Sequence, residues 1–78
     1  MTTIEGLVER ARLRQQLPPP RIRRAIRVAA GVTQAEAAEA LDVSRQAFIH
    51  WELGERTPRR GNAEAYAQLL ISLRGGDA

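Results

Sequence analysis

The chain has no cysteine, so neither disulfides nor thiolate metal sites can hold it together. It has no lysine either: all twelve basic residues are arginine. Aromatic residues are scarce, with one Phe, one Trp and one Tyr, and there is a single histidine. No run of about 18 apolar residues occurs, so no transmembrane helix is expected. The opening residues lack the charged-then-apolar pattern of a signal peptide, and a cytoplasmic location is the default expectation. No strand-like alternation and no internal repeat appear, which leaves an all-α fold.

Enzymatic chemistry lacks its parts. One histidine, no cysteine and two serines, Ser44 and Ser72, give no nucleophile–base set. The pair Gly75-Gly76 belongs to a bare tail and not to a phosphate-cradling loop. Glu36 and Glu39 share a helix but no further ligand joins them, so a solvated face is the simpler reading. The chain is expected to be no enzyme and to need no metal and no cofactor.

What is present fits one small domain with a modest core in 78 residues. Ile4, Leu7, Val8, Ala11 and Leu17 recur at helical spacing and predict an amphipathic helix within residues 1–17. Pro18, Pro19 and Pro20 stop it and form a stiff spacer. A second helix is expected from about Arg21 to Ala30, with Ile22, Ile26, Ala29 and Ala30 on its inner face and Gly31 as its C-cap. Thr33 and Glu36 make a capping-box pattern, and Ala35, Ala38 and Leu41 follow at helical spacing. Asp42-Val43 breaks the pattern, and Ser44 is a good N-cap for the next helix. That helix runs to about Leu53 and ends at Gly54, with Ala47, Phe48 and Trp51 on one side and Arg45, Gln46 and His50 on others. A last helix is expected from Ala63 to Leu73, capped by Asn62, with Ala63, Tyr66, Ala67, Leu70 and Leu73 inward. Residues 74–78 read as a frayed tail.

The net charge is +3, but its distribution is more telling than its size. Residues 21–32 carry four arginines and no acid. Residues 33–43 carry Glu36, Glu39 and Asp42 and no base, and residues 44–62 carry Arg45, Arg56, Arg59 and Arg60 against Glu52 and Glu55. Positive charge thus flanks the helix from Gln34 to Leu41 on both sides, as a DNA backbone would require. Two short helices joined by a three- or four-residue turn form the helix-turn-helix unit, whose second helix lies in the major groove.

The stretch from Thr33 to Pro58 resembles the Cro/cI-type helix-turn-helix family, the phage-repressor-like XRE family. Thr33-Gln34 opens the first motif helix, Ala38 is its small residue, and Leu41-Asp42-Val43-Ser44 forms the turn. Trp51-Glu52, Gly54 and Pro58 follow in the family's pattern. The family usually has Gly at the place of Asp42, because the turn needs a left-handed backbone there; Asp tolerates that region better than most residues. The resemblance spans residues 21–73 as the DNA-binding domain and implies a compact, lambda-repressor-like bundle of about five short helices.

By position, the resemblance assigns base contacts to Arg45, Gln46 and His50, with Ile49 as an apolar contact. Arginine can donate twice to guanine, glutamine matches adenine, and an isoleucine can touch a thymine methyl. Gln34 and Ser44, at two helix starts, and Arg56, Arg59 and Arg60, in the exit loop, are the expected phosphate contacts. Phe48 and Trp51 are read as core, and Glu52 is expected to pair with Arg27. The partner implied is double-stranded DNA, and the activity that of a sequence-specific transcriptional regulator, in the manner of a phage or bacterial repressor. Two other readings stand beside it: the DNA-binding antitoxin of a toxin–antitoxin pair, with the N-terminal helix as the contact for a protein partner, and a protein-interaction adaptor on the same fold. The family commonly binds palindromes as a homodimer, yet its usual fifth helix has no counterpart after Leu73, so the oligomeric state stays open.

Overall fold

A computed structural model describes residues 3–15 and 17–75. Five helices follow one another: α1 (Ile4–Gln15), α2 (Pro20–Ala29), α3 (Gln34–Ala40), α4 (Arg45–Glu52) and α5 (Arg60–Gly75), with no strand among the described residues. Helix α5 carries α1 and α2 on its sides, and α4 packs on α2 and α3. The core lies where these meet: Ala37 and Ala38 from α3, Leu41 at its C-cap, Phe48 and Trp51 from α4, and Tyr66 and Leu70 from α5. Leu17, Ile26, Val32, Val43 and Leu69 pack around it. The three aromatic rings share one contact, with Tyr66 5.4 Å from Phe48 and 5.9 Å from Trp51 between ring centres.

The element boundaries follow the chain's punctuation with some shifts. Thr3 caps α1, its hydroxyl accepting from the Gly6 amide at 2.9 Å. Pro20 belongs to α2 and not to the spacer, because proline suits a first helical turn where no amide donor is needed. Helix α5 begins at Arg60 rather than at Ala63, so Asn62 lies inside its first turn and is not its cap. It also runs through Gly75, past the expected end at Leu73; residues 76–78 of the expected tail lie outside the described residues, as do residues 1, 2 and 16. On α3 the inner face is Ala37, Ala38 and Leu41, while Ala35 faces solvent.

Helix α2 inverts the expected pattern. Ile22, Ala29 and Ala30 are exposed and Ile26 is half-buried, whereas Arg23 and Arg27 are only 8% and 9% exposed. Arginine can be buried when its fork of donors is matched and its stem is packed. Arg23 donates to the Pro18 carbonyl at 2.8 Å and to the Trp51 carbonyl at 3.4 Å, and its guanidinium lies 5.4 Å from the Tyr66 ring centre. Helix α1 departs from expectation differently. It packs on α5, but Ile4, Leu7 and Val8 remain 79%, 55% and 49% exposed.

Three helices end in the same way. After each, one residue with positive φ turns the chain so that two amides reach back to the last carbonyls. These residues are Gly31 (φ 74) after α2, Asp42 (φ 57) after α3 and Gly54 (φ 78) after α4. At Asp42 the Asp42 and Val43 amides donate to Glu39 and Ala38 at 3.0 Å each. At Gly54 a Cβ would lie 3.1 Å from Pro20 Cγ, so the proline ring would have to give by a few tenths of an ångström, on top of the strain that φ 78 puts on a side chain. Asp42, exposed and in the left-handed region, carries steric cost without compensating burial. Asp42→Gly is therefore expected to raise the unfolding free energy by about 0.5–1 kcal/mol, and Gly54→Ala to lower it by about 1–2 kcal/mol, read by urea denaturation.

Burial pushes the Tyr66 phenol up to about 12, against the opposing pull of the Arg23 charge. An exposed tyrosine ionises near pH 10. Between those values the unfolded chain has released a proton that the folded chain keeps, so stability is full below about pH 10 and falls as pH rises toward 12. The Tyr66 hydroxyl has no hydrogen-bond partner among the described residues. Tyr66→Phe is thus expected to leave stability at pH 7 within about 1 kcal/mol of wild type and to flatten the alkaline loss, measured by melting temperature against pH.

Candidate nucleic-acid interface

Helix α3, the turn at residues 41–44 and helix α4 form the candidate interface, and local chemistry sets each end. At the start of α3 a full capping box closes: the Glu36 amide donates to Thr33 Oγ1 at 3.0 Å, and the Thr33 amide donates to Glu36 Oε1 at 2.8 Å. At the start of α4 the Ser44 hydroxyl oxygen accepts from the Ala47 amide at 3.0 Å. A hydroxyl has one donor besides its lone pairs, so the capped Ser44 keeps a hydrogen to give to an anion. Phe48, Trp51 and Glu52 face the interior, which turns Gln46 and His50, one helical turn apart, to the opposite side.

The orientation of α4 is held by charge. Arg27 Nε and Nη2 donate to Glu52 Oε2 and Oε1 at 2.6 and 2.8 Å, a two-pronged contact between α2 and α4. The remaining arm of Arg27 donates to the Val32 carbonyl at 2.7 Å. Gln34, at the start of α3, donates its amide to Glu52 Oε1 at 3.0 Å. One carboxylate, 5% exposed, therefore ties three helices. Burial works to raise the Glu52 pKa, but the hydrogen bonds from Arg27 and Gln34 and the Arg27 charge outweigh it and hold it below the ordinary carboxylate value. The Glu52 hydrogen bond, opposed by burial, holds the Arg27 guanidinium above its ordinary value.

Arg45 and Gln46 are exposed on the first turn of α4, and Ile49 and His50 are half-buried. A cleft of ≈ 620 Å³ lies between α4 and the loop leading into α5. It brings together Ser44, Gln46, His50, Arg56 and Arg59 of the expected contacts, and leaves Arg45, Ile49, Arg60 and Gln34 outside its walls. Arg60 is exposed at the first residue of α5.

Sequence reasoning missed two participants. Arg23 was not singled out, and its burial carried no periodic signal. Glu55 was counted only as charge, yet its carboxylate lies 2.7 Å from His50 Nδ1. The two are not at helical spacing; the reversal at Gly54 folds Glu55 back, its own amide donating to the His50 carbonyl at 2.9 Å. His50 Nε2 in turn lies 3.4 Å from Gln46 Nε2.

A helix-turn-helix family model matches residues 24–71, more than half of the chain. That match covers α3, the turn and α4 whole, together with most of α2 and α5. Comparisons with curated proteins and with solved structures give no match.

Glu52 should dominate the acid response of the fold. Its folded-state pKa lies below that of the unfolded chain, so its contribution is present above about pH 4.5 and is lost as pH falls through the lower folded value. Glu52→Ala should cost on the order of 3–5 kcal/mol at pH 7, because the Arg27 charge is left buried and unpaired. A double-mutant cycle with Arg27→Ala, read by denaturant unfolding, should return a coupling of more than about 1 kcal/mol.

Proposed function

The chain belongs to the Cro/cI-type helix-turn-helix family, the XRE family, and is a DNA-binding regulator of that type; on that premise we propose that it recognises a specific duplex sequence by laying α4 in the major groove. The observation that carries this reading is the two-sidedness of α4. Phe48, Trp51 and Glu52 are buried, while Arg45 and Gln46 stand exposed, Gln46 in the wall of the cleft that also holds Arg56 and Arg59. Arg45 and Gln46 offer two-pronged partners for guanine and adenine, and Ile49 an apolar contact for a thymine methyl. Ser44, Arg56, Arg59 and Arg60 are the phosphate contacts that fix register without reading sequence. Gln34 joins them through the amide hydrogen that Glu52 does not take, since a phosphate oxygen meets only a donor. The regulation proposed is repression, by occupying a site that another protein needs.

A second reading adds a protein partner, and the uncovered stripe of Ile4, Leu7 and Val8 on α1 favours it. An amphipathic helix this short is marginal on its own, and its exposed apolar side suits another chain. That chain is a second copy bound to a palindromic site, or the toxin if this protein is an antitoxin. Sedimentation of the wild type and of Leu7→Glu separates the two: a dimer that Leu7→Glu splits is the second copy, and a wild-type monomer assigns the stripe to a different protein.

Selection of bound sites from random duplex DNA tests the main reading. Arg45→Ala should weaken binding to the selected site by roughly 1–3 kcal/mol and change binding to random DNA little. Arg59→Ala should weaken both about equally and reduce the salt slope by about 1. Equal losses on both DNAs for Arg45→Ala would remove direct base reading from α4.

A further inference from the structure

Three side chains on the outer face of α4 and its exit turn form a chain that a base-reading role does not by itself require. Glu55 Oε1 and His50 Nδ1 are 2.7 Å apart, and His50 Nε2 and Gln46 Nε2 are 3.4 Å apart. A carboxylate can only accept, so the Nδ1 facing it carries the hydrogen. In the neutral ring Nε2 is then a lone-pair acceptor, and the group within its reach is the Gln46 NH2. The link from Glu55 to His50 is the short, charge-assisted one, and the link to Gln46 is longer and weaker. The turn that places Glu55 is fixed by the backbone. Gly54 has φ 78, and the Glu55 and Arg56 amides both donate to the His50 carbonyl, at 2.9 and 3.3 Å.

The consequence lies in how a primary amide is built. One of its two hydrogens is on the same side as the oxygen and the other points away. Adenine is read by the oxygen together with its neighbouring hydrogen, against N6 and N7. If His50 takes the far hydrogen, the reading edge is left intact and its direction is set. Turned over, the amide would put its oxygen against the Nε2 lone pair, which repels it. We propose that Glu55 and His50 are positioning residues: Glu55 fixes the His50 tautomer, and His50 fixes the Gln46 amide in the orientation that selects adenine. The inference rests on the reading of α4 as the groove-bound helix with Gln46 set against adenine, and it adds what holds that amide in place.

The chain has a single histidine, so its ring nitrogens give one unambiguous pair of 15N signals. The full-length wild type, Glu55→Gln, Glu55→Ala and Gln46→Ala are compared, free for the ring signals and on selected duplexes for base preference. At a pH where the ring is neutral, wild type and Glu55→Gln should carry the hydrogen on Nδ1, because a glutamine oxygen still accepts it. Glu55→Ala should move toward hydrogen on Nε2. Both Glu55 variants lose a negative charge and should bind random duplex more tightly to a similar degree. Only Glu55→Ala should lose preference for adenine at the position that Gln46→Ala makes indifferent, by roughly fivefold. A wild-type ring with its hydrogen on Nε2 overturns the inference. So does equal adenine preference in Glu55→Ala and Glu55→Gln, which would leave Glu55 as a simple ion-pair partner. If Gln46→Ala keeps the full site preference, the reading of α4 fails and takes the inference with it. If Gln46→Ala loses that preference while Glu55→Ala keeps it, the reading stands and only the inference falls.

Discussion

Arg27 of α2 and Glu52 of α4 meet inside the protein, and their contact constrains almost everything around them. A carboxylate this deeply buried must be matched or it costs several kcal/mol. Glu52 is matched three times, twice by Arg27 and once by Gln34 of α3. Arg27 is matched in turn by the Val32 carbonyl at the loop into α3. The contact therefore ties α2, α3 and α4 together with directional bonds, where an apolar contact would allow the helices to roll. With Glu52 held inward, the 3.6-residue period leaves Gln46 and His50 outward. What faces the solvent on α4 is a consequence of what is bonded beneath it.

The second constraint is aromatic. Phe48, Trp51 and Tyr66 are the chain's one Phe, one Trp and one Tyr, and all three are used at one point of the core. Arg23 closes this cluster, lying near the Tyr66 ring face while its donors go to the Pro18 and Trp51 carbonyls. Two arginines one turn apart on α2 thus face inward, while Ile22, Ala29 and Ala30 stay wet and only Ile26 touches the core. The chain has a small apolar content to build with, and the stems of Arg23 and Arg27 serve as packing material while their heads are bonded. Tight backbone turns complete the frame. Gly54 lets α4 end against Pro20, which places the exit loop and its arginines beside α4 and closes the cleft.

The interface and the frame share parts. Glu55 reaches His50 only because Gly54 reverses the chain, and glycine suits that position because its φ is 78° and Pro20 lies close to where a side chain would start. Gln34, at the start of α3, donates inward to Glu52. A DNA-binding protein that reads bases must hold polar side chains in one orientation before contact, or the ordering entropy is paid at binding. Here the hydrogen bonds of the fold extend to the side chains that would do the reading.

How much of this was legible varies with the range of the interaction. Thr33, Glu36 and Ser44 announced two helix starts because caps act over three residues. Gly31, Asp42 and Gly54 announced three helix ends for the same reason, and the five-helix order and the family follow from such local marks together with the spacing of Phe48 and Trp51. The inner face of α2 was misread because periodicity ranks Ile22 above Arg23; only the carbonyls of Pro18 and Trp51, the ring of Tyr66 and the carboxylate of Glu52 make an inward arginine favourable, and these come from other elements. The stripe on α1 was legible as a stripe, but not that α5 leaves Ile4, Leu7 and Val8 uncovered. The Glu55–His50 contact was invisible, since no helical spacing joins residues across a reversed turn. The sequence by itself determined the five elements, the ends that caps and reversals mark, and the family, because these rest on interactions within one turn of backbone; the two ends of α5 carry no such mark and were placed only by the structure. The tertiary structure alone decided which polar groups are buried and which are offered outward, because a charge can be buried only where a distant partner arrives to match it.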